Sequence, residues 1–92
     1  MQKEDVKVLN VFGKKGTMQI LEFLDHGKVS YLQLQQFINT HTLNTRLREL
    51  LNYGLVQHHL ERFEKRTEWY EITEKGRKVL YSLKELAALI VT

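Results

Sequence analysis

Residues 40–56 read THTLNTRLRELLNYGLV. Leu43, Leu47, Leu50 and Leu51 fall at i, i+4, i+7 and i+8, which is the spacing of one apolar stripe along an α-helix. Asn39 or Thr40 supplies the N-cap, a side-chain oxygen for the orphan amides of the first turn, and Gly54 is the residue type that ends a helix in the left-handed conformation. The pattern predicts a helix over about 40–53 with its core face made of leucine. What its other face meets depends on the elements around it.

Upstream, Ser30 is a second good N-cap, and Tyr31, Leu34, Phe37 and Ile38 then share a stripe, so a short helix is expected over about 31–38. Only two or three residues separate it from the leucine helix. Short helix, tight turn and longer helix make a helix-turn-helix, in which the brief connection forces a steep crossing and presents the second helix outward. Before this pair, Met18, Ile20, Leu21, Phe23 and Leu24 predict a first long helix between Lys14 and Asp25, closed by Asp25-His26-Gly27. The segment DVKVLNVF, residues 5–12, shows apolar residues at both periods and is read as a short helix in preference to a strand.

Downstream the pattern changes. LVQHHLERF and TEWYEIT are rich in β-formers, and the charged FEKRTE supplies a turn, so residues 55–73 are expected to form a β-hairpin. Thr73 caps a last helix of about 74–90, with Glu74 in its first turn and Val79, Leu80, Leu83, Leu86, Ala87 and Ile90 along it. The expected class is α+β, a winged helix-turn-helix with a three-helix core, a β-hairpin wing and a C-terminal helix, forming one domain over residues 1–92.

Composition agrees with such a domain. A chain of 92 residues builds one small core, and 42% hydrophobic with 27% charged residues is a folding composition. The net charge of +3 and sequence pI near 9.3 favour an anionic partner such as nucleic acid without reaching the charge of a basic tail. No cysteine is present, which excludes disulfides, thiolate catalysis and sulfur-ligated zinc. MQKEDVKVLNVF mixes charges and lacks the apolar centre of a signal peptide, and no apolar run reaches the roughly 18 residues of a membrane span, so a cytoplasmic address and no membrane partner are expected.

Three stretches are familiar. GKKGTMQILEFLDHGKVSYLQLQQFI resembles the opening of HxlR-type and MarR-like archaeal and bacterial regulators, LNTRLRELLNYGLV their recognition helix and its exit, and EWYEITEKGRKVL the second wing strand entering the last helix. Together they cover most of residues 13–80. The resemblance implies a winged helix and DNA binding. Members of that family usually carry a cysteine near the N-terminus and a proline-rich wing; this chain has neither, so sensing through that thiol does not transfer.

The leucine stripe leaves His41, Thr45, Arg48 and Asn52 facing away, flanked by Thr42 and Asn44. Solvated helix faces are usually filled with Glu and Lys, which are strong helix formers; this one is Thr, Asn and His, a local cost that base recognition explains. Asn and Arg carry the forked groups that read adenine and guanine, and Thr suits a phosphate or a thymine methyl. The expected DNA-binding residues are therefore His41, Thr42, Asn44, Thr45 and Arg48, with Lys65 and Arg66 from the wing. Arg46, nearer the stripe, is expected to brace the helix. Arg62, Lys65 and Arg66 are matched in number by Glu61, Glu64 and Glu68, so the wing is the weaker contact, and a solvated hairpin tip reads as well. Lys14, Lys15 and Lys28 are candidate backbone clamps, and Gln33, Gln35 and Gln36 candidate phosphate contacts from the second helix.

His58 and His59 are adjacent on a strand and so point to opposite faces, which makes them structural histidines and leaves no metal site. No catalytic arrangement or cofactor-binding motif is legible, and a non-enzyme is expected. The stripe of the last helix is wider than so small a core needs, so Val79, Leu83, Leu86, Ala87 and Ile90 are expected to pair two copies, which would read a palindromic site with half-sites roughly 34 to 36 Å apart. The expected function is that of a homodimeric, sequence-specific regulator of transcription on double-stranded DNA. The rival is a winged helix used as a protein-interaction module, which the modest charge and neutral wing allow. No residue pattern marks an effector pocket.

Overall fold

The computed structural model describes residues 1–91; Thr92, the end of the apolar AALIVT tail, lies outside them. The elements run α1 (Lys3–Phe12), α2 (Thr17–Asp25), α3 (Tyr31–Gln35), α4 (Thr40–Asn52), β1 (Val56–Arg62), β2 (Arg66–Ile72) and α5 (Glu74–Val91). The ambiguous segment at the start is a helix. Its N-terminus is closed by a capping box in which the Gln2 amide donates to Asp5 Oδ2 at 3.1 Å, and Glu4 and Asp5 complement the helix dipole in the first turn.

Local chemistry accounts for each boundary of the helix-turn-helix. Ser30 Oγ accepts the Gln33 amide at 3.2 Å while Gln33 Oε1 accepts the Ser30 amide at 2.8 Å. Asn39, not Thr40, caps α4: its Oδ1 accepts the amides of His41 at 2.9 Å and Thr42 at 3.3 Å. At the far end the Leu55 amide reaches back to the Leu50 carbonyl and the Gly54 amide to Leu51, with Gly54 at φ 72°. This six-to-one closure needs the left-handed glycine and seats Leu55 on Leu50, both buried.

Two expectations are corrected here. The second helix ends at Gln35, short of residue 38: Ile38 turns into the core from the connection, while Phe37, expected on the same stripe, is 45% exposed and rests on Phe23 with ring centroids 4.7 Å apart. Leu51, expected in the core, is 37% exposed, because Leu43, Leu47 and Leu50 already fill the inward arc and the i+8 position falls at its edge.

β1 and β2 pair antiparallel from Val56↔Ile72 to Arg62↔Arg66, which leaves only residues 63–65 for the turn; Arg66, expected in the turn, belongs to β2, as do Thr67 and Glu68, where the expected turn and strand overlapped. A single bridge adds Val29 to this hairpin, its amide donating to the Tyr70 carbonyl at 3.0 Å and its carbonyl accepting the Tyr70 amide at 2.7 Å. The wing is thereby fastened to the α2–α3 connection. Ile20, Leu21 and Leu24 of α2, Leu34 of α3, Leu43, Leu47 and Leu50 of α4, Leu55, Val56, Tyr70 and Leu80 form one continuous core.

Thr73 organises the entry to α5, accepting the Gly76 amide at 2.9 Å and donating to the Gly54 carbonyl at 2.7 Å. Gly76 is buried there against the α4–β1 connection: a Cβ on it would lie 2.1 Å from the Leu55 carbonyl oxygen. That is the physical reason for glycine in Thr-Glu-Lys-Gly. Farther along α5, Leu80 is buried and Val79 and Leu83 are half-buried, but Leu86 is 53% and Ile90 74% exposed. No helix among the described residues is long and apolar enough to cross a membrane.

Candidate nucleic-acid interface

With its leucines turned inward, α4 exposes His41, Asn44, Arg48 and Asn52 along one side. Thr45 is half-exposed, and its hydroxyl donates to the His41 carbonyl at 2.9 Å within the helix, leaving its methyl and a lone pair toward the outside. Thr42 is half-buried. A Cβ on Gly16 would come within 3.3 Å of Thr42 Cγ2, so this threonine spends its methyl on packing α4 against the start of α2. Of the five helix residues expected to meet DNA, Thr42 is the one the fold draws partly away.

Arg46 braces the helix as expected. Its Nε lies 2.8 Å from Glu49 Oε1, an ion pair and not an aligned hydrogen bond, and Lys14 Nζ approaches Glu49 Oε2 at 3.5 Å from the loop before α2. Lys14, a candidate clamp, is exposed and shares Glu49 with Arg46. The consequence for electrostatics is larger than the pair itself. Glu49 is the single acid of α4, it is turned to two cations, and no aspartate or glutamate occurs anywhere from Lys28 to Arg48. From Lys28 to Arg48 the helix-turn-helix therefore presents donors, a guanidinium and an imidazole, and its one carboxylate, Glu49, is turned to two cations.

Two side-chain bonds join α3 to α4. Gln35 Nε2 donates to Thr40 Oγ1 at 3.3 Å, and the Tyr31 hydroxyl donates to Asn44 Oδ1. Neither pairing is visible in sequence, where Tyr31 is one more apolar-face residue. Gln33 and Gln36 are exposed, Gln33 engaged in its capping box and Gln36 donating to the Leu32 carbonyl at 3.3 Å.

The wing is built differently. Arg66 Nη2 lies 3.3 Å from Glu68 Oε2, and Glu68 also holds His58. Lys65 sits at the exposed tip without an ion pair among the described residues. His58 lies against Tyr70 with the rings tilted by 35°, and His59 stacks on Trp69, on opposite faces of the hairpin as strand alternation requires. Lys28, a candidate clamp, lies over the Trp69 ring at 4.8 Å, and Trp69 Nε1 donates to Glu71 at 2.8 Å. Burial, then the nearby Glu68 and Tyr31, pushes the phenol of Tyr70 on β2 above its ordinary value.

The sequence profile described as HxlR-like helix-turn-helix matches residues 11–92. The chain belongs to the HxlR-like helix-turn-helix family. By sequence, no curated protein matches it. Among solved structures, this HxlR-like chain is similar to the reduced form of the transcriptional regulator YodB from B. subtilis, with a TM-score of 0.82 at 22% identity over 96% of this chain and 89% of that one. It is similar to a protein classed as a MarR-family transcriptional regulator from Enterococcus faecalis V583, with a TM-score of 0.81 at 21% identity over 97% and 86% of the two chains. It also resembles ytcD, classed as an HTH-type transcriptional regulator, with a TM-score of 0.79 at 29% identity over 97% and 93%. The first two likenesses speak to the winged-helix fold. Family and neighbours together support a DNA-binding transcriptional regulator.

Proposed function

We propose that this chain is a homodimeric regulator of transcription that acts in the cytoplasm and reads double-stranded DNA with α4 in the major groove. His41, Asn44, Thr45 and Arg48 meet base edges, Thr42 sets the helix against α2, and Lys65 with Arg66 approaches phosphates from the wing. Residues 1–92 act as one domain, and α5 joins the two copies through Leu86, Ala87 and Ile90, with Val79 and Leu83 contributing where they are not already packed at home. YodB is described in a reduced form; this chain, lacking cysteine, has no thiol through which to follow a redox signal.

One observation carries the reading: the helix-turn-helix has no carboxylate from Lys28 to Arg48, and the lone acid of α4 is turned to Arg46 and Lys14. A helix face selected only for solubility has no reason to avoid acids, whereas one that enters a groove walled by phosphates does. The test is a fluorescence titration of a random-sequence duplex at several salt concentrations. Binding that weakens as log salt rises, with a slope of several phosphates, is expected. No binding at low salt would return the face to solvent and leave a protein-interaction module as the better account.

A further inference from the structure

The orientation of one exposed side chain on α4 is set from outside that helix. Tyr31 opens α3, and its hydroxyl donates to Oδ1 of Asn44, 13 residues along the chain. Tyr31 is itself held on a rigid mount: it is half-buried, packs against the core, and follows Ser30, whose capping box fixes the first turn of α3. The oxygen and the amino group of a side-chain amide lie in one plane and diverge from the same carbon, so anchoring Oδ1 toward α3 turns the Asn44 amino group away from it.

We propose that Tyr31 is a positioning residue that makes Asn44 a hydrogen-bond donor at the DNA, directing it to an exocyclic keto oxygen, guanine O6 or thymine O4. The proposal rests on the reading of α4 as the major-groove helix. An unconstrained asparagine pairs with adenine through acceptor and donor together, the carbonyl taking N6–H and the amino group giving to N7. With one lone pair of its carbonyl taken by the phenol and its oxygen turned toward α3, Asn44 leads with its amino group. Guanine answers that donor with acceptors at both O6 and N7 and thymine with one at O4; adenine offers N7 only beside an amino group that opposes the donor, and cytosine offers an amino group alone. Discrimination at this position is thus built by two residues, only one of which touches the base.

The experiment is selection of preferred duplexes from a randomised pool by the whole chain, compared for wild type, Tyr31→Phe, Asn44→Ala and the double variant. Wild type is expected to favour a keto base over adenine at one position by about tenfold, the range of a good base-edge contact. Tyr31→Phe keeps the ring and is expected to bind random duplex as wild type does, while that position drifts toward adenine. Asn44→Ala removes the preference, and adding Tyr31→Phe to it changes nothing further. Preferences unaltered by Tyr31→Phe, a loss equal for all sequences, or effects that add in the double variant would each overturn the proposal. Absence of duplex binding by wild type would overturn the major-groove reading itself, which separates the two failures. Side-chain amide relaxation by NMR gives an independent answer if Tyr31→Phe folds poorly: a rigid Asn44 amino group is expected in the wild-type protein, and a freely rotating one overturns the proposal.

Discussion

Arg77 Nε donates to Asp25 Oδ1 across 2.8 Å, and the Tyr81 hydroxyl donates to the same carboxylate at 3.0 Å, so the end of α2 is clasped to the first half of α5. The Arg77 guanidinium holds the Asp25 carboxyl below its ordinary 3.8, against the opposing effect of burial and with help from Tyr81. A carboxylate whose folded pKa is lowered contributes stability that is present above its unfolded value and lost as pH falls through the folded one. The melting temperature of wild type is therefore expected to fall more steeply below about pH 4 than that of Asp25→Asn, with Asp25→Asn the less stable at pH 7. Parallel curves through this range would show that the clasp contributes nothing.

Gly76→Ala is expected to destabilise by about 3 kcal/mol, lowering the melting temperature by roughly 10 to 20 °C, because the new methyl meets backbone and not a movable side chain. Gly13→Ala is the control. Its Cβ would meet the nearest atom, the Asn10 carbonyl oxygen, at an ordinary 3.7 Å, and a change within about 0.5 kcal/mol is expected by urea unfolding.

Arg48→Ala is expected to weaken binding to a selected duplex by about 1 to 3 kcal/mol and to relax choice at one base pair, as removal of a guanine contact does. Competition titrations against single-base variants measure this. An equal loss on every sequence would make Arg48 a phosphate contact.

Lys65 at the wing tip has no ion pair among the described residues, whereas Arg66 is held by Glu68, so Lys65 is a wing cation open to a phosphate. Lys65→Ala is expected to weaken all duplexes alike and to lower the salt slope by about one unit. An unchanged slope would assign the wing to solvent.

Assembly is best tested at the exposed end of α5. Leu83→Glu would disturb folding and pairing together, since Leu83 is half-buried in its own chain. Leu86→Glu and Ile90→Glu, at side chains already open to water in one copy, are expected to yield monomers by sedimentation with little change in core packing. A dimer that survives both would place the interface elsewhere.

Sequence made the helix-turn-helix and hairpin legible because their signals are local: Asn39 and Ser30 cap, Gly54 stops, and Val56, Trp69, Tyr70 and Ile72 enrich the strands in β-formers. It was less exact wherever distance decided. Leu51 satisfies helical spacing yet lies outside an arc already filled by three other leucines, and Thr42 sits on the polar side yet packs toward Gly16. Period arguments rank faces; they do not measure how wide a neighbour is. The Asp25–Arg77 clasp spans 52 residues and Tyr31–Asn44 spans 13, so neither leaves a trace in any window short enough to show periodicity. The acid-free stretch from Lys28 to Arg48 is readable in the sequence, but its meaning depends on knowing where Glu49 points.

The stack of His59 on Trp69, with Lys28 over the same ring, has an optical consequence. Trp69 is the one tryptophan of the chain, and it stands in the wing, beside the residue that bridges to Val29. Its emission depends on the imidazole and ammonium against it, so any shift of the hairpin relative to the α2–α3 connection alters the signal at its source. The protein carries its own dye-free gauge of wing position.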